Sequence, residues 1–321
     1  MNLRIGTRGS ALALWQAHHI RDRLLALRGR DGAPRVASVE IVVIRTTGDR
    51  IQSVPLSEVG GKGLFTKELE EALLAGAVDL AVHSMKDMPS ELPDGLALIG
   101  VPERADPRDA LVLPAGAAPV VFDPSLPFLA RGAVVGTSSL RRKAQLLALR
   151  PDLMVIPLRG NVDTRLGKLD ARVDGLEAIL LACAGLERLG LGGRVSLALP
   201  PTHMVPAVGQ GALALEAAVD REDVRDLVAA LAHAATEAAT TAERAFLATL
   251  EGNCKVPLAA HAIVSGQRLR IEGLVASVTG ELVLRDAVDG GVDDAEALGV
   301  VLGGRLIERG ADRLLDASRD A

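Results

Sequence analysis

The chain offers few residues able to do covalent chemistry: two cysteines, no tyrosine, and histidines that stand nowhere near either thiol. Cys254 lies between Gly252-Asn253 and Lys255-Val256-Pro257, a stretch with no regular period and a proline at its end. It reads as a loop cysteine, and a neighbouring cation lowers a thiol's pKa and enlarges its thiolate fraction. No histidine follows closely enough to suggest a Cys–His pair. Cys183 sits inside the apolar run Ile179-Leu180-Leu181-Ala182-Cys183-Ala184 and reads as a small core residue on a strand. Two cysteines build no disulfide framework and no zinc spacing, so no metal is expected.

The cations are unevenly placed. Between Arg131 and Arg172 stand nine Arg and Lys against three Asp, inside a chain whose formal charge is -5. Lys143, Arg150, Lys168 and Arg172 read as a solvated basic face. The others fall where α/β sheets bind ligands, at the carboxyl ends of strands and at helix N-termini. Arg141 and Arg142 open a helix after Gly136-Thr137-Ser138-Ser139, Arg159 ends a strand before Gly160, and Arg8 and Ser10 hold the equivalent place near the N-terminus. Guanidinium forks grip carboxylates bidentately, so such a set suits a ligand bearing several of them. Asp87, beside Lys86, follows another apolar strand and is read equally well as a turn cap or a catalytic carboxylate. Gly60-Gly61-Lys62-Gly63 lacks the spacing and the Ser/Thr of a phosphate loop and reads instead as a glycine-rich lid carrying one lysine.

The elements that must position these residues alternate between strand and helix. Leu3–Ile5 is an apolar strand, followed by the turn Gly6–Ser10 and a helix from Ala11 to about Leu27 with apolar residues at helical spacing. Strands at 39–44 and 78–82 flank a helix ending near Leu74. The pattern then restarts at Ala133–Val135, with Gly136-Thr137 echoing Gly6-Thr7. Alternation of this kind predicts wound, parallel sheets in two lobes of similar design with a central cleft. The Pro-, Ala- and Gly-rich stretch from Pro102 to Arg131 reads as hinge and surface loop, with a surface insertion at 114–130. Pro200 to Gly211 reads as a second hinge. After about Ala230 a helix and short strands predict a small α+β domain. The expected division is 1–102 with 212–229, then 103–211, then 230–321.

Composition excludes two partner classes. Aromatics are 2% of the chain, too few for the stacking platforms of single-strand nucleic-acid binders, and the acidic balance disfavours phosphate backbones. No apolar run approaches a membrane span and no signal peptide is legible, so a cytoplasmic protein is expected.

Taken together, RIGTRGSALALWQA, GDRIQSVPLSEVGGKGLFTKELE, AVHSMKDMPSELP, ERADPRDAL, VVGTSSLRRKAQL, LRGNVDTRL, AGLERLG, PAVGQGALALE and LEGNCKVP resemble the porphobilinogen deaminase (hydroxymethylbilane synthase) family, in family order. The resemblance implies a three-domain fold whose first two lobes are periplasmic-binding-protein-like, and a transferase with a dipyrromethane cofactor on the thioether of Cys254. It implies stepwise head-to-tail condensation of four porphobilinogen molecules with release of ammonia, then hydrolytic release of the linear tetrapyrrole, in haem biosynthesis. By matched position, Asp87 is the catalytic carboxylate that stabilises the azafulvenium cation. Arg141, Arg142, Arg159 and Arg188, with Ser84, Lys86, Thr137, Ser138 and Ser139, hold the cofactor. Arg8, Ser10, Arg159, Arg165 and Gln210 bind substrate and the growing polypyrrole, while Asp49, Lys62 and Phe65 belong to the active-site loop. A monomer is implied, with its product passed to uroporphyrinogen-III synthase. Glu58 and Asn253 depart from the family pattern, and Lys255 is variable ground. A non-enzymatic anion- or solute-binding module with two similar lobes is the alternative.

Overall fold

A computed structural model describes residues 1–47, 66–250 and 256–319. They form two compact units, Met1–Arg104 with Ala212–Glu237, and Ala105–Gly211 with Ala238–Ala321.

In the first unit, β1 (Asn2–Thr7) pairs in parallel with β2 (Ser38–Val43) and β3 (Leu80–Ser84). β10 (Leu213–Ala218) runs antiparallel between β3 and β4 (Leu96–Gly100), giving the order β2-β1-β3-β10-β4. Leu3 and Ile5 share one face of β1, as a period of two requires, and are buried. Helix α1 (Ala11–Leu25) begins where Ser10 Oγ accepts the Ala13 N–H at 3.3 Å. Its Ala17, Ile20 and Leu24 recur at helical spacing and pack on Leu3, Ile5, Leu80 and Val82. Helix α2 (Lys67–Leu74) covers part of the sheet through Leu69 and Leu73.

The second unit repeats the plan. β6 (Val134–Gly136) is followed by α3 (Leu140–Leu149), capped by Ser139, whose Oγ faces the Arg142 N–H at 3.4 Å. β7 (Met154–Ile156), α4 (Val162–Asp170), β8 (Leu176–Ala182), α5 (Cys183–Arg188) and β9 (Leu197–Leu199) follow. With β5 (Asp109–Val112) the order is β7-β6-β8-β5-β9. β6 is parallel to β7 and β8, and β5 is antiparallel to β8 and β9. Strand for strand this is the first sheet again, so the expected repeat of strand, Gly-Thr turn and helix is a repeat of whole sheets.

Two expectations need correcting. The stretch 102–131 is not simply hinge and loop, because it contributes β5, every residue of which is buried between β8 and β9. Four residues between Pro107 and Pro114 are too few to display a period. Nor is 114–130 only a surface insertion: Leu126 and Leu129 enter the core, and Arg150 donates to the carbonyls of Ser125, Leu126, Leu129 and Ala130. Arg150, ion-paired to Asp152 at 2.7 Å, is therefore a loop clamp and not part of a solvated face.

The C-terminal part of the second unit is a three-stranded antiparallel meander, β11 (Leu258–Ser265), β12 (Arg268–Ala276) and β13 (Val283–Gly291). Helices α6 (Ala234–Thr249), α7 (Ala295–Glu308) and α8 (Ala311–Arg319) complete it, the last without a sequence expectation. Its core centres on Phe246 and includes Leu250 and Val256, the residues on either side of 251–255. Ala259, Leu274 and Ala276 pack on Ala144 of α3 and on Val205. One helix thus presents Arg141 and Arg142 from its first turn and supports the C-terminal sheet further along.

Gly280, in the β12–β13 turn at φ +74°, lies against α3, where an added Cβ would press on the Ala144 carbonyl and come within 2.7 Å of the Ala148 nitrogen. Gly266, in the β11–β12 turn at φ +57°, faces open space. Denaturant unfolding should show Gly266→Ala losing about 1 kcal/mol, the left-handed penalty alone. Gly280→Ala should lose about 2–4 kcal/mol, because overpacking is added. Equal losses would mean the turn does not bear on α3.

Candidate active site

At the carboxyl end of the first sheet, Arg8, Ser10, Gln16, Thr66, His83, Ser84 and Asp87 line one hollow. Asp87 ends the short turn Met85–Asp87 that follows β3. Its neighbours Met85 and Met88 are buried, and the Met88 N–H closes the turn on the Met85 carbonyl at 3.1 Å, so the exposed carboxylate is carried on anchored backbone. Ser84 Oγ accepts from Gln16 Nε2 at 3.2 Å. Arg8 and Lys86 are half-buried.

Sequence reasoning missed a group in the wall of this hollow. His83 Nε2 lies 2.9 Å from Glu216 Oε2, and both side chains are buried. Glu70, from α2, is buried as well, and its burial pushes the carboxyl pKa up, with the charge of Glu216 adding to the effect. The residues are far apart in sequence, and only the β3–β10 pairing places Glu216 diagonally from His83. Among the described residues no cluster of His, Cys, Asp or Glu could hold a metal ion.

The second unit gathers the arginines. Asp109, wholly buried on β5, receives Arg141 Nη1 at 2.6 Å, Arg141 Nη2 at 3.0 Å, Arg142 Nε at 2.8 Å and Gln210 Nε2 at 3.0 Å. Burial alone would raise the Asp109 pKa, but the charges of Arg141 and Arg142 drive it well below the carboxylate range. Thr137 Oγ1 accepts the Ser139 N–H, and Ser138 Oγ donates to the Leu158 carbonyl, which fixes the turn ahead of α3. Arg165 Nε donates to the Gly160 carbonyl, and Arg188 Nη2 donates to the Gly211 carbonyl at 2.6 Å. Arg159 is half-buried and receives Lys168 Nζ on its carbonyl.

Electrostatics separates these arginines from a solvated face. Burial pushes Arg165 down to about 10, and the charges of Arg142 and Arg159 depress it further. Burial likewise pushes Arg188 down to about 10. Guanidiniums held in this way remain charged at neutral pH and are stabilised by any anion that reaches them. Cys183, by contrast, opens α5 just after β8 instead of lying on the strand; burial raises its thiol to about 12, and it stays a core residue. Asp49, Glu58, Lys62, Phe65, Asn253, Cys254 and Lys255 lie outside the described residues.

Comparison with known proteins now decides the family. Residues 3–226 match the family model described as porphobilinogen deaminase, dipyromethane cofactor binding domain, and residues 238–308 match that of the porphobilinogen deaminase C-terminal domain. The chain belongs to the porphobilinogen deaminase family. Relatives named porphobilinogen deaminase include one from Nitratidesulfovibrio vulgaris, 52% identical over 98% of this chain and 96% of its own. Another, from Geobacter metallireducens, is 48% identical over 98% and 93%. Solved structures are more distant: the periplasmic VFT2 domain of Bordetella pertussis BvgS covers 71% of this chain and 85% of its own at 13% identity, with a TM-score of 0.38, too far to carry the reading. Within the porphobilinogen deaminase pattern, the motif residues Ser84, Lys86 and Asp87 follow one strand end of the first unit. Thr137 to Arg142 with Arg159, Arg165, Arg188 and Gln210 belong to the second.

The Glu70 carboxyl, raised by burial, binds its proton more tightly in the folded than in the unfolded chain. Its ionisation therefore removes stability as pH rises. Glu70→Gln should raise the melting temperature more at pH 8 than near pH 5, because a carboxyl whose pKa is raised on folding costs stability as pH rises. A gain independent of pH would mean that folding does not raise the Glu70 pKa.

Proposed function

We propose that the chain is a hydroxymethylbilane synthase. It joins four porphobilinogen molecules head to tail with loss of ammonia and releases the linear tetrapyrrole by hydrolysis. The observation that carries the reading is the arginine set of the second unit, in which Arg141 and Arg142 are buried against one carboxylate and Arg188 is buried against the Gly211 carbonyl. A ligand bearing an acetate and a propionate on every pyrrole supplies the carboxylates such a set requires. The same chemistry fits a dipyrromethane group, which Arg141, Arg142, Arg159 and Arg188 would hold with Ser84, Lys86, Thr137, Ser138 and Ser139, Cys254 being its point of attachment. When bound, that group supplies the pyrrole α-carbon to which the first substrate is joined.

Asp87 acts on the incoming porphobilinogen. As the aminomethyl C–N bond breaks and ammonia leaves, the pyrrole nitrogen becomes cationic, and a carboxylate held against its N–H stabilises that charge. The exposed position of Asp87 on anchored backbone supports this role, because a group aimed at a developing charge must not have to reorganise. Asp87 would also accept the α-proton released once the new C–C bond has formed. Arg8, Ser10, Arg159, Arg165 and Gln210 hold substrate and chain carboxylates, while Asp49, Lys62 and Phe65 form the covering loop. No helix among the described residues is long and apolar enough to cross a membrane, and a cytoplasmic monomer passing its product to uroporphyrinogen-III synthase completes the reading.

The purified protein should react with Ehrlich's aldehyde and weigh more than its polypeptide by two linked pyrroles, an increment absent from Cys254→Ala. Unmodified mass together with anion binding but no turnover would establish the alternative, a solute-binding module. Asp87→Asn should keep fold and increment and lower kcat at least about 100-fold; near-wild-type turnover would remove Asp87 from the chemistry.

A further inference from the structure

We infer that Asp109 is a positioning residue for carboxylate recognition: it fixes the orientation of Arg142 and joins Arg141 and Gln210 to the same anchor. Neighbouring residues on a helix diverge by about 100° around its axis, so Arg141 and Arg142 would ordinarily point apart. Here they meet on one carboxylate. Arg141 approaches with Nη1 on Oδ2 and Nη2 on Oδ1, and its Nη1 also donates to the Val205 carbonyl at 2.8 Å. Arg142 approaches with Nε and with Nη2, which lies 2.8 Å from Oδ1 and also donates to Gln210 Oε1 at 3.5 Å, while its Nη1 donates to the Leu180 carbonyl at 3.1 Å. Gln210, also buried, uses one amide nitrogen to join Asp109 to the Pro107 carbonyl at 2.7 Å. Asp109 therefore connects the first turn of α3, the start of β5 and the residue just before Gly211.

A purely structural role accounts poorly for this arrangement. A buried ion pair seldom stabilises a fold better than apolar residues of the same volume. A carboxylate shared by two guanidiniums also leaves one positive charge in excess inside the unit. That excess is a liability to folding and an asset to anion binding, and it reaches further, because the Arg142 charge also bears on Arg165. Asp109 makes the excess tolerable and, with the Leu180 carbonyl and Gln210, fixes the direction of the second N–H on each terminal Arg142 nitrogen. The inference rests on the hydroxymethylbilane synthase reading.

The test uses the full-length holoenzyme, with intact mass reporting how many chains carry the two-pyrrole increment. Asp109→Asn should cut the fraction of chains carrying the two-pyrrole increment about tenfold or more, while its unloaded chains melt close to the unloaded Cys254→Ala protein. In a cycle with Arg142→Gln, the double variant should be no worse than Arg142→Gln alone, since both act through one guanidinium. An undiminished increment, a loss of increment matched by a lowered melting temperature of the unloaded chains, or effects that multiply, would overturn the inference. Should Asp109→Asn not fold, crystals of the wild-type holoenzyme decide it. Arg142 should then hold a ligand carboxylate while its Nε stays on Asp109. An Arg142 that leaves Asp109 to reach the ligand, or stays clear of it, overturns the proposal. A wild-type protein with neither increment nor turnover would instead remove the enzymatic reading itself.

Discussion

Positive charge buried beyond what the neighbouring carboxylates balance is the constraint around which the second unit is built. Asp109 answers two guanidiniums at once, Arg165 is depressed by burial and by two more, and Arg188 is depressed by burial. Such charge is tolerable only where backbone carbonyls hold each guanidinium in place, as those of Val205, Leu180, Gly160 and Gly211 do here. It is useful only if anions arrive. The helix carrying Arg141 and Arg142 is fixed from behind by Ala259, Leu274 and Ala276, so the arginine geometry depends on the C-terminal sheet as well.

The two units start from one plan and diverge in what they do with it. Each sheet has the same strand order, and each has a Ser-capped helix after a strand that ends in Gly or Gly-Thr. In the second unit the turn and helix start bear the arginines. In the first, the equivalent turn bears Arg8, while the strand end beside it bears Asp87 over a buried His83–Glu216 pair. The paired arginines follow β6 in the second unit and Asp87 follows β3 in the first, both at carboxyl ends of strands, where wound sheets meet their ligands.

Much of this was legible in the sequence. Helix α1 declared itself by apolar spacing, and the helix expected to open at Arg141 and Arg142 after Gly136-Thr137-Ser138-Ser139 is α3. The motifs placed Asp87 and the arginines at strand ends and helix starts without reference to coordinates. What escaped was what depends on pairing between distant segments. β5 is too short to show a period, so Asp109 went unremarked in a stretch read as hinge and loop, its partners Arg141 and Gln210 lying 32 and 101 residues away in the chain. Glu216 meets His83 only through strand register, and Arg150 became a clamp because the carbonyls of a folded loop converge on it. Neither relation leaves a local trace. Cys254 and the glycine-rich stretch around Lys62 lie outside the described residues, so their roles rest on the family pattern.

The account stands on chain growth at one protein-bound primer whose carboxylates are held by the buried arginines. Intact-mass measurement during turnover tests this most directly. On addition of porphobilinogen, wild-type protein should show a ladder of discrete species on the same polypeptide, each heavier by one deaminated pyrrole unit. The ladder of Arg165→Gln should stall at its early members. Ammonia release with no heavier species, or a variant ladder indistinguishable from the wild-type one, would contradict it.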